Sequence, residues 1–159
     1  MTLYMGIDPG LDGALVVIDH RSRLIGCHDI PTVREGTRRQ VHSILLARII
    51  RGYTEEVGSE NLFCTLERQH AHPRQGVSSV FKLGRSFGQL EGMLSALAIP
   101  HSLVSPRTWT KLLRDVGGTE KKARSVLSAS RRWPDLELKL KKHHNRAEAA
   151  LLAEFRRMN

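Results

Sequence analysis

The sequence predicts an α/β fold built on a five-stranded mixed sheet, a three-strand antiparallel meander plus two parallel strands, flanked by helices. Three observations predict it. Three short apolar runs at the N-terminus are joined by brief, turn-rich links. Two later apolar runs each follow a stretch with helical spacing, and the remainder reads as helices. The chain of 159 residues suits a single domain over 1–159.

The elements follow in order. "LYMGID", "ALVVID" and "RLIGCHDI" are strands, and the links "PGLDG" and "HRSR" are short enough for a meander. Residues Pro31 to Thr37 read as a loop. "TRRQVHSILLARIIRGYTEEV" reads as a helix, with Val41, Ile44, Leu45, Ala47, Ile49 and Ile50 roughly on one face. "NLFCTLE" is the fourth strand and "RQHAHPRQGVSS" a polar, basic loop. A long helix is expected from about Val77 to Ala98. Its Gly84, Gly88 and Gly92 share a face, each at a cost of ~1 kcal/mol relative to alanine. That pattern predicts a close approach by another backbone or strand, or a surface where two copies meet. "HSLV" is the fifth strand. "SPRTWTKLLRDV" has Ser105 and Pro106 as a helix start. "GTEKKARSVLSASRRW" is a helix stopped by Pro134. "HNRAEAALLAEFRR" closes the chain with Ala147, Ala150, Leu151 and Phe155 as its apolar stripe.

Charge narrows the function classes. The net charge is +9, and residues 105–159 hold 14 Lys or Arg against 6 Asp or Glu, so +8 of it lies there. A basic region of this kind suits a polyanion, whose counterions are released as phosphates are neutralised. No run approaches ~18 apolar residues and no charged leader is evident, so neither a membrane partner nor export is expected. Cys27 and Cys64 sit in apolar runs and read as reduced core thiols of a cytoplasmic protein, with an organelle as the alternative.

Against that basic background, a few acids are placed for chemistry. Asp8 ends the first strand on the face shared by Tyr4 and Gly6, and Pro9 stops the ladder behind it. Glu67 ends the fourth strand. His144 and Glu148 are four residues apart, one turn on the same helix face, among the small residues Ala147, Ala149 and Ala150. Each has a plain alternative: a turn aspartate, an ion-pair partner for Arg68 or Arg74, a surface His–Glu pair. Together they form a hard-oxygen set with an imidazole, which suits Mg²⁺ or, as a substitute, Mn²⁺. Two such ions about 3.5–4 Å apart can clamp both reacting oxygens of a phosphodiester.

The stretches "GIDPGLDGALVVID", "LERQHAHPRQGVSSVFKLGRSFGQLEGML", "VSPRTWTKLL" and "KKHHNRAEAALLAEF", in this order and spacing, resemble the RuvC-like Holliday junction resolvases of the RNase H-like superfamily. The pattern is most similar to phage-type and organelle-type members. The resemblance implies an RNase H-like fold, a homodimer and two Mg²⁺ per active site. It further implies an endonuclease that places paired, symmetric nicks in four-way branched DNA; no small-molecule substrate is expected. Asp8 then matches the first-strand aspartate, Glu67 the acid ending the fourth strand, and Glu148 the final helical acid. His144 is assigned to the fourth position, with Asn145 and His143 as alternatives. The implied roles have Asp8 bridging both ions, Glu67 on the leaving-group side, and Glu148 with His144 holding the attacking water. Arg68, His72, Arg74, Lys82, Arg85, Lys111, Lys121, Lys122, Lys141 and Lys142 are the candidate DNA contacts. The competing reading is a non-catalytic, basic junction-binding protein. A nucleotide-binding kinase or ATPase with a similar opening strand and turn would need a second, related domain.

Overall fold

The computed structural model describes residues 1–159. Strands β1 (Leu3–Asp8), β2 (Ala14–Asp19) and β3 (Leu24–Asp29) form the expected antiparallel meander. A separate hairpin follows, β4 (Thr32–Glu35) with β5 (Arg38–Val41). Then come α1 (Ser43–Val57), β6 (Leu62–Glu67), α2 (Val77–Ala96), β7 (His101–Val104), α3 (Pro106–Trp109), α4 (Lys121–Arg132) and α5 (His144–Met158). The main sheet runs β3-β2-β1-β6-β7, with β6 parallel to β1 and β7 parallel to β6. This is the mixed five-stranded sheet read from the sequence. No helix is long and apolar enough to cross a membrane.

Strand alternation divides the core into two layers. Leu3, Met5, Ile7, Leu15, Val17, Leu62, Cys64 and Leu66 face α1 and α2, meeting Leu46, Ile50, Leu90 and Leu94. The other face carries Ala14, Val16 and Ile18 and is covered by α5 through Ala147, Ala149, Ala150 and Ala153, with Trp109, Ala129 and Trp133 alongside. Tyr4, Gly6 and Asp8 belong to this second face by the same alternation. A Cβ on Gly6 would collide with the backbone of Ala149 and Ala153, so α5 lies against β1 with nothing between them. The α5 end is fastened by the buried Glu154, which accepts from Arg157, Arg132 and Ser22.

Two expectations are corrected. Residues 31–41 are not a loop running into a helix. The β-favouring Thr32 and Val33 pair with Val41 and Gln40 across a two-residue turn, where Gly36 sits at φ 60°. The first helix therefore starts at Ser43, with the His42 ring accepting from the Leu45 amide at 3.2 Å. Second, of the two readings of the α2 glycine face, close approach within the chain is the one overturned. A Cβ on Gly84, Gly88 or Gly92 would find open space within 4 Å, and the close approach falls at Gly6 instead.

Candidate active site

Ile7 of β1 pairs with Leu66 of β6, so the next residue of each strand, Asp8 and Glu67, leaves the ladder at the same level. Both project to the α5 side. Beyond Asp8 the chain turns through Pro9 and Gly10, whose φ of 133° is strained for any residue with a side chain. The following loop is tied down twice: Arg39 of the hairpin donates to Asp12 Oδ1 at 2.6 Å and to the Leu11 carbonyl, and Asn145 Nδ2 donates to the Asp12 carbonyl at 2.5 Å. From the opposite layer α5 delivers Glu148. Ligand oxygens of Asp8, Glu67 and Glu148 lie within 4.8 Å of one another, and all three residues are buried.

Three buried carboxylates at that range repel. Burial first, then Glu67 and Glu148, push the Asp8 carboxyl well above its ordinary value, with Lys121 partly offsetting them. Lys121 Nζ donates to Glu148 Oε2 at 2.9 Å and stands 3.6 Å from Glu67 Oε1. Burial alone would pull this ammonium's pKa down, but Glu148 and Glu67 outweigh it and hold the pKa above its usual value. One ammonium leaves the group short of positive charge. Glu148 Oε1 is buried with no partner at all, an acceptor that normally finds one. A hard oxygen set with an orphaned buried acceptor fits a Mg²⁺-type cation.

The other sequence candidates are placed differently. His144 precedes Glu148 by one turn, yet it lies outside the carboxylate group and its Nδ1–H donates to the Lys141 carbonyl at 2.8 Å. The alternatives are likewise engaged with backbone: His143 Nδ1 accepts from the Leu140 amide at 3.3 Å, and Asn145 holds the Asp12 loop. Arg68, His72, Arg74, Lys111, Lys122 and Lys141 are exposed. Lys142 is exposed beside Asp29 at 3.4 Å. Lys121, half-buried, reaches the acids with its ammonium. Lys82 and Arg85 line a groove of about 580 Å³ between α2 and the β4–β5 hairpin, with Arg38 and Arg39 on the hairpin side and Gly10 and Leu11 reaching it from beside Asp8.

No protein-family model matches the chain, and no curated protein matches it by sequence. Solved structures do match. RuvC of T. thermophilus in complex with a Holliday junction substrate superposes with a TM-score of 0.67 at 16% identity, covering 98% of this chain and 94% of that one. The chain has the RuvC-like fold. A second Thermus thermophilus RuvC structure matches with a TM-score of 0.60 at 19% identity, over 96% of this chain and 91% of that one. The fowlpox virus Holliday junction resolvase matches at 0.55 and 15% identity, covering 99% of both chains. Within this RuvC-like fold the three acids occupy two strand ends and the helix laid across them.

Three contributors escaped sequence reasoning. Trp109, read only as part of a helix, is fully buried and donates its indole N–H to Glu67 Oε1 at 2.9 Å. The signal was available, since a buried indole seeks an acceptor, but nothing in the sequence says which. Arg38 and Arg39 were hidden by the misread hairpin. The turn at Gly36 was the one local cue, because the flanking runs "TVRE" and "RRQV" carry no apolar alternation.

Proposed function

We propose that the chain is a Mg²⁺-dependent endonuclease that resolves four-way DNA junctions, working as a homodimer to make paired, symmetric nicks. One observation carries the reading: Asp8, Glu67 and Glu148 converge from three elements into one buried group while Glu148 Oε1 stays unpartnered. The RuvC-like fold and the charge of +9 support it.

Asp8, Glu67 and Glu148 would hold the cation, or the pair of cations that the fold's resemblance implies. When bound, a divalent ion in such a site polarises the phosphodiester and lowers the pKa of the attacking water. The chain's own groups do the rest. The strand ends fix Asp8 and Glu67 on a rigid platform. Lys121 balances part of the acidic charge, and its reach toward Glu67 and Glu148 sets it where a scissile phosphate would approach. The groove beside Asp8, with Arg38, Lys82 and Arg85 on its walls, offers a path for the strand being cut. A two-fold dimer matches the two-fold symmetry of a four-way junction.

A non-catalytic branched-DNA-binding protein is the competing reading, and the Lys121–Glu148 ion pair is the observation that favours it. One assay separates the two. A labelled four-way junction and a matched linear duplex are incubated with the protein in Mg²⁺ and in chelator. Nicks in the junction alone, and only with Mg²⁺, support the nuclease. Binding without nicks under every condition refutes it.

A further inference from the structure

Trp109 heads the fully buried side chains of the molecule by size, yet it is not spent only on packing. Its N–H faces a carboxylate oxygen, whereas Trp133, the second tryptophan, donates to the Ser22 carbonyl at 2.7 Å. Its ring face also carries the Lys121 ammonium 4.8 Å from the centroid, within cation–π range. One side chain thus touches both an acid of the cluster and the cluster's only counter-charge.

We propose that Trp109 is a positioning residue for the acidic site: its N–H holds Glu67 Oε1 and so leaves Oε2 as the oxygen that meets the cation. The proposal rests on the cation-binding reading above. The terminal torsion of a glutamate is broad and two-fold, so an unheld carboxylate exchanges its oxygens freely. A buried donor at 2.9 Å removes that freedom. The donor is itself immobile. α3 follows β7 directly, Pro106 sets its first turn, and the Thr108 and Trp109 amides both bond the Ser105 carbonyl, at 2.9 and 3.3 Å. The Ser105 and Thr108 hydroxyls are 2.9 Å apart and brace the same turn. Leu113, Ala129 and Ala147 belong to the same buried cluster as the ring.

The test is calorimetric titration of the full chain with Mn²⁺ alone, without DNA. The proteins are wild type, Trp109→Phe, and a form in which residue 109 is β-(3-benzothienyl)alanine, the sulfur isostere that keeps the shape of the indole and lacks its N–H. Both replacements are expected to weaken Mn²⁺ binding by about tenfold or more, the usual effect of losing a partner behind a metal ligand. Thermal melting reports packing separately, and if Trp109→Phe fails to fold the isostere decides the matter. An isostere that binds Mn²⁺ within twofold of wild type overturns the positioning role alone. A wild-type protein that binds no Mn²⁺ overturns the cation reading and this inference with it.

Discussion

Gly6 of β1 and Ala149 of α5 meet backbone to backbone, with the Ala149 carbonyl oxygen filling the space a Gly6 side chain would need. Glu148 is the neighbour of Ala149 in sequence, and Asp8 lies two residues beyond Gly6 on the same strand face. This contact therefore sets the distance between the helical acid and the strand acids. The small residues of α5 serve the same end.

Gly6→Ala should destabilise the protein by at least ~1–3 kcal/mol, the usual range for overpacking, and should lower junction cleavage further than the stability loss explains. Denaturant unfolding and nicking rates on the same samples check both. Gly88→Ala is the contrast. Its Cβ meets open space, so it should stabilise the helix by up to ~1 kcal/mol. A loss of stability there would mean that the face is covered in solution by a second copy.

The pH dependence of the metal-free protein follows from Asp8. Burial, with Glu67 and Glu148, raises its pKa in the folded state. Between the ordinary aspartate value and that raised value, the native state holds a proton that the unfolded state has released. Stability contributed by this group therefore falls as pH rises through the window. Asp8→Asn should melt higher than wild type in chelator at neutral pH, by ~2–4 °C for each kcal/mol recovered. The gap should close below the ordinary aspartate range. Equal melting at neutral pH would contradict the electrostatic account.

Lys121 makes the opposite case. Lys121→Met removes the ammonium paired with Glu148 and Glu67. It should destabilise the metal-free protein by about 1–3 kcal/mol, the range for stranding buried acceptors. Saturating Mg²⁺ should recover most of that loss, because the ion supplies the missing charge. Melting curves of the variant with and without Mg²⁺ test this, and a loss that Mg²⁺ leaves unchanged would assign Lys121 a purely structural pairing.

The groove beside Asp8 predicts the salt response. Arg38, Lys82 and Arg85 line it and form no ion pair. Replacing any one by Ala should weaken junction binding and reduce the slope of log affinity against log salt by about one. Fluorescence anisotropy across a salt series measures the slope. Unchanged slopes for all three would move the DNA path elsewhere.

The parts of the molecule that were legible in the sequence are those set by local periodicity. Alternation in Leu3–Asp8 put Asp8 on the face of Tyr4 and Gly6, the apolar run Leu62–Glu67 put Glu67 at a strand end, and the alanines flanking Glu148 indicated close packing. Long-range partners were not legible. Three glycines in register on α2 carried a clear signal of close approach, yet the chain places nothing there, while the lone Gly6 inside an apolar strand carried none. The His144–Glu148 spacing is correct for a shared helix face, but which backbone carbonyl captures the imidazole depends on the Lys141 turn before it. Lys121 looked like one of ten basic candidates for DNA contact because its approach to Glu67 and Glu148 spans the tertiary fold.

The central claim is that Asp8, Glu67 and Glu148 form a divalent-cation site, and the most direct measurement is anomalous diffraction from crystals equilibrated with Mn²⁺. The account predicts a manganese peak in contact with all three carboxylates, with Lys121 displaced from Glu148. A structure in which manganese binds elsewhere, or in which Lys121 keeps its place at saturating Mn²⁺ and no peak is seen among the three acids, would contradict it.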